Sequence, residues 1–139
     1  MGINMTEIRY ASMADKELLL SRDCHIKEDI LEKAILNRYV LVMLAGGNLA
    51  GWLRWGLFWD EIPFMNMLYF LEEYRGLGFG TQLVGFWENE MLKLSYDKVM
   101  TSSQANETAQ HFYRKLGYRD AGGFFPFCKD FEILFTKEI

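Results

Sequence analysis

Cysteine is scarce. Cys24 and Cys128 are the only two in 139 residues, too few for a disulfide framework, and neither has a C-x-x-C or His-x-His companion that would mark a metal site. Histidine is equally scarce. His25 and His111 lie far apart in sequence, without ligand spacing, and read as exposed or partly buried structural residues. A reducing cytoplasm suits such a chain. No apolar run approaches the roughly 20 residues of a membrane span, and no secretory h-region is present, so the expectation is a soluble, cytoplasmic protein with no membrane partner. Basic charge is short as well: 15 Lys and Arg against 19 Asp and Glu give a net charge of -4, which offers no electrostatic footprint for nucleic acid. Internal repeats, linkers and low-complexity tracts are missing. At the N-terminus, Met1-Gly2-Ile3-Asn4-Met5-Thr6 satisfies the M-G-x-x-x-[ST] pattern for myristoylation, but so short a pattern matches by chance, and Met5 is an equal candidate for the start.

What the chain does have is apolar and aromatic residues, half and 16% of the total. That is the composition of a compact globular protein, expected as one domain over residues 1–139 that buries about two thirds of its unfolded surface. Glu7–Tyr10 reads as a strand, Ala11–Asp15 as a turn in which Asp15 caps a helix carrying Leu18, Leu19 and Leu20, and Ile26, Ile30, Leu31, Ala34 and Ile35 as the apolar side of a second helix. Tyr39–Ala45, the turn Gly46-Gly47-Asn48 and Leu49–Leu57 form a hairpin. After a turn over residues 58–63, Phe64–Leu71 is a strand with few charges, which predicts a central place in the sheet.

That strand runs into Glu72-Glu73-Tyr74-Arg75-Gly76-Leu77-Gly78-Phe79-Gly80-Thr81, where three glycines alternate with apolar residues before a helix over Thr81–Leu94. Glycines remove the Cβ atoms that would hold a ligand off the backbone and allow positive φ. A helix start behind them offers unpaired amides and the positive end of the macrodipole, so a phosphate or pyrophosphate fits there. Known glycine patterns narrow the ligand. A P-loop needs a lysine, and none lies between Arg75 and Lys93; a Rossmann turn needs G-x-G-x-x-G, and Thr81 stands where the third glycine belongs. Further on, Leu83, Val84, Trp87, Met91 and Leu94 share one face of the helix, Lys98–Ser103 is a strand, and Asn106 is placed to cap a helix that Gly117 closes. Counted along that helix, Asn106 and Tyr113 fall on one side. Tyr118–Gly123 and Phe131–Thr136 supply the last two strands.

Arg75-x-x-Gly78-x-Gly80 resembles the [QR]-x-x-G-x-[GA] signature of the GNAT superfamily of acyl-CoA-dependent N-acetyltransferases, and Asn106–Tyr118 matches its later pattern N-x-x-A-x-x-F-Y-x-K-x-G-[FY] at every defined position. The resemblance covers residues 63–123. It implies an α/β fold, a central, mostly antiparallel twisted sheet of six to seven strands flanked by about four helices. It further implies acetyl-CoA as co-substrate without a metal, with Arg75, Gly76, Leu77, Gly78, Phe79, Gly80 and Thr81 around the pyrophosphate. The main chain of Phe70 and Leu71 would lie along the pantetheine arm, Asn106 near it, and Tyr113 would be the general acid. The first helix pair would cover one mouth of the acceptor site. A thiol with a pKa of about 8.5 and a tyrosine of about 10 make that proton transfer inexpensive.

Many members place a carboxylate base on the central strands; Phe64–Leu71 holds none, which leaves Glu61, with Asp60 beside it, as the nearest by sequence, or a water relay. Trp52, Trp55, Phe58 and Trp59, and the loop residues Phe124, Phe125 and Phe127, would suit a pocket for a cationic amine with an apolar body, or an aromatic core or dimer face. The partner implied is a small-molecule amine, with a homodimer left open. A non-catalytic acyl-CoA sensor, transfer to oxygen or of longer acyl groups, and a protein-interaction module stay open too.

Overall fold

The computed structural model describes residues 5–127 and 129–139. Most of the myristoylation pattern, and Cys128, lie outside the described residues. In chain order the elements are β1 (Thr6–Tyr10), α1 (Lys16–Arg22), α2 (Glu28–Leu36), β2 (Val40–Ala45), β3 (Asn48–Phe58) and β4 (Ile62–Phe70). They continue with α3 (Phe79–Lys93), β5 (Lys98–Gln104), α4 (Ala109–Lys115), β6 (Arg119–Phe124) and β7 (Glu132–Glu138). The seven strands form one mixed, mostly antiparallel sheet in the order β1-β2-β3-β4-β5-β7-β6. β4 is central, as its lack of charge implied, and its parallel pairing with β5 is confined to Phe64 and Met65 opposite Met100 and Thr101. Among the described residues no helix is long and apolar enough to cross a membrane.

Contacts group the chain into two compact units, one of residues up to Trp55 with Met67–Phe86, the other of Gly56–Asn66 with Trp87–Ile139. In the first, Leu19, Leu31 and Ile35 from the helix pair bury against Val40, Val42 and Trp52, as the three-and-four spacing requires. Leu18 and Ile30, expected on the same faces, are exposed. Asp15 does not cap α1 with its side chain. Its carboxylate turns back to accept the Ser12 N–H at 2.8 Å and the Arg9 guanidinium at 2.8 and 3.1 Å, so it closes the 3-10 turn Met13–Asp15 before α1. The loop after α1 is tied down by Asp23, whose buried carboxylate accepts Arg54 Nε at 2.7 Å, Trp52 Nε1 at 3.1 Å and the His25 N–H at 3.1 Å.

In the second unit the β3–β4 turn is shorter than residues 58–63. Trp59 and Asp60 both take positive φ, 57° and 59°, and the Glu61 N–H returns to the Phe58 carbonyl at 3.0 Å. This two-residue closure matches the twist of a hairpin, so β4 starts at Ile62 with Pro63 buried inside it. β5 pairs with β7 over seven positions, from Lys98 opposite Glu138 to Gln104 opposite Glu132. Gly117 does end α4: at φ 94° its N–H meets the Arg114 carbonyl at 3.0 Å and the Tyr118 N–H meets that of Tyr113 at 3.0 Å, the paired bonds of a Schellman motif. Leu83, Val84, Trp87 and Met91 of α3 are buried, whereas Leu94 lies past the helix end and is exposed.

Candidate active site

Between β4 and α3 the chain makes the 3-10 turn Glu72–Tyr74 and then a curl in which Gly76 and Gly78 both have positive φ, 74° and 83°. A Cβ built on either would meet nothing within 4 Å, so both glycines face open space. Helix α3 starts two residues earlier than its apolar pattern suggested, because Gly78 supplies the first helical acceptor: Gln82 N–H bonds to its carbonyl at 3.2 Å. The amides of Phe79, Gly80 and Thr81 therefore form the first turn, where no carbonyl four residues back is available. Phe79 anchors that turn, its ring buried 6.4 Å from those of Phe70 and Tyr74. The Arg75 guanidinium lies over the Tyr69 ring, and its Nε donates to the Phe70 carbonyl at 2.8 Å. Leu77 and Thr81 are exposed.

At the end of β4 the Leu71 N–H points to the Ala50 carbonyl at 2.9 Å. Pleat alternation then turns the N–H and C=O of Phe70 to the opposite edge of the strand. Gly51 makes this packing tight. A Cβ there would collide with the Phe70 ring and come within 2.6 Å of the Tyr69 carbonyl oxygen. A glycine inside a strand is a sign of such close approach, but its partner cannot be read from sequence.

Tyr113 lies on α4, 7% exposed, with its ring 5.8 Å from that of Tyr118 and 5.9 Å from that of Phe135. Its hydroxyl lies beside Thr101. Thr101 Oγ1 donates to the Met65 carbonyl at 3.0 Å. Burial pushes the Tyr113 pKa up to about 12; Thr101 beside the hydroxyl works against that rise, and the Glu107 charge adds to it. The value near 10 assumed from sequence is thus too low. Beside it, burial and then the Glu88 charge and hydrogen bond raise the Tyr118 pKa as well. The Tyr118 O–H donates to Glu88 at 2.8 Å, and Lys137 Nζ reaches the same carboxylate at 2.9 Å.

Asn106 is not the cap of α4. The helix starts at Ala109 behind Thr108, and the Asn106 side-chain amide donates to Asp130 at 2.8 Å. Asn106 therefore lies outside the helical count that put it on one side with Tyr113. Glu61 and Asp60 are exposed at the β3–β4 turn. Glu61 precedes Met65 by four positions, about 13 Å of extended strand. Trp52 and Trp55 are 1% and 4% exposed and belong to the packing, whereas Trp59 at the turn tip and Phe124, Phe125 and Phe127 are exposed. His25 and His111 are exposed. Thr101 went unnoticed in the sequence; strand alternation places it on the buried face with Val99 and Ser103, but its link to Tyr113 is a tertiary fact.

Relatives are consistent with this geometry. The sequence model of the acetyltransferase (GNAT) family matches residues 7–118. No curated protein matches the sequence at a significant level. Among solved structures, Ard1 from Thermoplasma volcanium aligns with a TM-score of 0.83 at 14% identity, over 96% of this chain and 97% of that one. The PaiA N-acetyltransferase from Thermoplasma acidophilum, solved in complex with coenzyme A, aligns at 0.81 and 17%, over 97% and 99%. The ribosomal-protein-S18-alanine N-acetyltransferase from Escherichia coli aligns at 0.79 and 18%, over 97% and 94%. At such identities the structures speak for the fold alone, but the family match runs through both the glycine turn and α4, and by it the chain belongs to the acetyltransferase (GNAT) family.

Proposed function

We propose that the protein transfers the acetyl group of acetyl-CoA directly to a primary amine of a small acceptor, both substrates bound together, and that residues 1–139 act as one catalytic domain. The observation that carries this reading is the turn at Gly76 and Gly78, left-handed at both glycines and open where their side chains would be, in front of the first amides of α3. That is a cradle for a pyrophosphate, and the coenzyme A in the PaiA structure supports the choice of ligand. Main-chain groups of residues 76–81 would hold the pyrophosphate, with Arg75 keeping the turn against β4. The edge at Phe70, whose carbonyl already accepts Arg75 Nε, would lie along the pantetheine arm with Leu71 following it, and Asn106 would neighbour that arm.

Acetyl-CoA supplies an activated thioester. In the transfer a carbon–nitrogen bond forms as the carbon–sulfur bond breaks, the sulfur leaves with the electron pair, and Tyr113 donates a proton to it. A backbone N–H near Phe70 would stabilise the carbonyl oxygen as it gains charge. The amine's surplus proton goes to water, and Tyr113 recovers its own proton from water. Glu61 stands far enough from Met65 along β4 that any part it takes in deprotonation is through such water.

Calorimetric titration with acetyl-CoA tests the reading. Gly78→Glu puts a carboxylate into the cradle at a left-handed residue, and like-charge repulsion should weaken acetyl-CoA binding by at least about 100-fold. An unchanged affinity would remove the turn from the cofactor site.

A further inference from the structure

Strand β5 presents alternate residues to opposite faces of the sheet, so Thr101 turns to α4 and Tyr113 while Ser102 turns away. On the side of Ser102, the residues Gly56, Phe64, Asn66, Ser102, Leu134 and Phe124 line a groove of about 650 Å³. Phe58 stacks on Phe64 with ring centroids 6.0 Å apart, giving the groove an aromatic wall. Gly56 leaves its floor open, since a Cβ there would stand 3.3 Å from the Asn66 side-chain nitrogen. The carboxylate beside the groove is Glu132, which accepts the hydroxyl of the lining residue Ser102 at 2.7 Å and is paired across the sheet with Phe124 and Gln104. Ser102 occupies one of the roughly four acceptor positions of that carboxylate.

Resting on the acetyl-transfer reading above, we propose that this groove is the acceptor site and that it takes a primary amine carried on an apolar body the size of an aromatic ring, with the ammonium held by Glu132. The size and mixed lining are those of a small-molecule pocket, apolar walls with a few polar groups that fix orientation. Charge selects the occupant. An ammonium has three protons to place, and Glu132, the Ser102 oxygen and the Asn66 amide oxygen are acceptors for them. A polyamine would leave its second ammonium among phenylalanine and leucine side chains without a partner, and an amino acid would bring its own carboxylate against Glu132. The groove and Tyr113 flank β5 one residue apart on opposite faces, so the amine approaches from one side while sulfur is protonated on the other.

The test uses the whole chain. Acetyl-CoA binding is first measured by calorimetry, and release of free thiol is then followed with 2-phenylethylamine, spermidine and a peptide with an N-terminal methionine. The expected order is a kcat/KM for 2-phenylethylamine at least about 10-fold above the other two. Gly56→Leu, which fills the floor, should lower it about 100-fold. Glu132→Gln, nearly isosteric and so informative even where the leucine variant fails to fold, should raise the KM for the amine about 10-fold; both variants should keep the parent's affinity for acetyl-CoA. Preference for spermidine or the peptide, or parental kinetics in Glu132→Gln, overturns the assignment. Tight acetyl-CoA binding with no transfer to 2-phenylethylamine overturns it too but leaves the acetyl-transfer reading standing, whereas failure to bind acetyl-CoA defeats both.

Discussion

Replacing Tyr113 by phenylalanine removes one hydroxyl from a buried site and leaves the ring contacts with Tyr118 and Phe135 in place. The cost to catalysis follows from the proton's two homes. With the phenol at about 12 and a leaving thiol near 8.5, complete transfer is uphill by roughly 3.5 pKa units, or about 5 kcal/mol. An unperturbed tyrosine would face only about 2 kcal/mol. Burial therefore makes Tyr113 a weaker acid, and its contribution is a hydrogen bond that tightens as charge collects on sulfur, with the proton moving late. The expected loss in kcat is about 100-fold, the lower end of the range for general acid catalysis, with acetyl-CoA affinity nearly unchanged. Single-turnover thiol release, measured from about pH 7 to about pH 11, separates this role from a packing role. Because the folded-state pKa is raised, the phenol stays protonated across that range, so Tyr113 causes no loss of kcat/KM near pH 10 and its alkaline limb appears only toward pH 12. The same shift adds to stability below the unfolded value of about 10, a contribution lost as pH rises from there through the folded value. A Tyr113→Phe enzyme that turns over at the parental rate, with chemistry limiting, would refute the assignment. An alkaline loss centred near pH 10 that the variant abolishes would instead refute the raised pKa.

Two further substitutions probe what holds the site. Gly51→Ala drives a methyl into the Phe70 ring and the Tyr69 carbonyl; a backbone oxygen cannot swing aside, so about 3 kcal/mol should be lost, seen as a lower urea midpoint, and acetyl-CoA should bind more weakly as Phe70 shifts. An unchanged midpoint would show that β3 and β4 are less tightly apposed. Asp23→Ala strands the Arg54 guanidinium, 8% exposed, and the Trp52 N–H, with an expected loss of about 3–5 kcal/mol, a large share of a typical domain's total. Burial alone would raise the Asp23 pKa, but the Arg54 hydrogen bond, the His25 amide and the Arg54 charge more than offset it and hold it below the usual carboxylate range. Stability from this pair is thus present above about pH 4 and disappears as acid protonates the folded form; a loss under about 1 kcal/mol in the alanine variant would contradict a buried ion pair.

The parts of the molecule that were legible in the sequence are those set by neighbours in the chain. Positive φ at Gly76 and Gly78, the Schellman end at Gly117 and the hairpin at Gly46-Gly47-Asn48 each depend on what one residue's backbone can adopt, and a glycine announces that locally. Asn106 misled because its local preference for a cap lost to Asp130, 24 residues later, whose carboxylate takes its amide proton. Trp52 and Trp59 sit seven residues apart in an aromatic cluster, yet one is 1% exposed and the other 75%. The difference arises where Trp59 and Asp60 accept left-handed backbone to close a hairpin, a conformation aspartate tolerates but tryptophan does not favour. The Asp23–Arg54 pair spans 31 residues and carries no periodic signal at all. Tyr113 was identifiable by its surroundings in sequence, but its acidity depends on how deeply α4 buries it.

Thr101 and Ser102 show how a strand can assign two jobs to adjacent residues of nearly the same chemistry. Each hydroxyl has a single proton, and in both it is already committed: Thr101 donates to the Met65 carbonyl and Ser102 to Glu132. Thr101 faces Tyr113, where its effect opposes the rise in pKa that burial imposes on the phenol. What remains on Ser102 is an acceptor facing the groove, beside a carboxylate whose other positions are open to an ammonium. The division depends on register, because a slip of one residue exchanges the two faces of a strand. Seven consecutive pairs with β7 guard against it, with Val99 and Ser103 buried on the Thr101 side. The pairing of β4 with β5, by contrast, stops at Met65 and Thr101, the pair whose carbonyl and hydroxyl bond to each other beside the tyrosine. Long pairing on one edge of β5 therefore frees its other edge from holding the strand in place, and on that edge the last ladder position is where Thr101 faces the proposed acid.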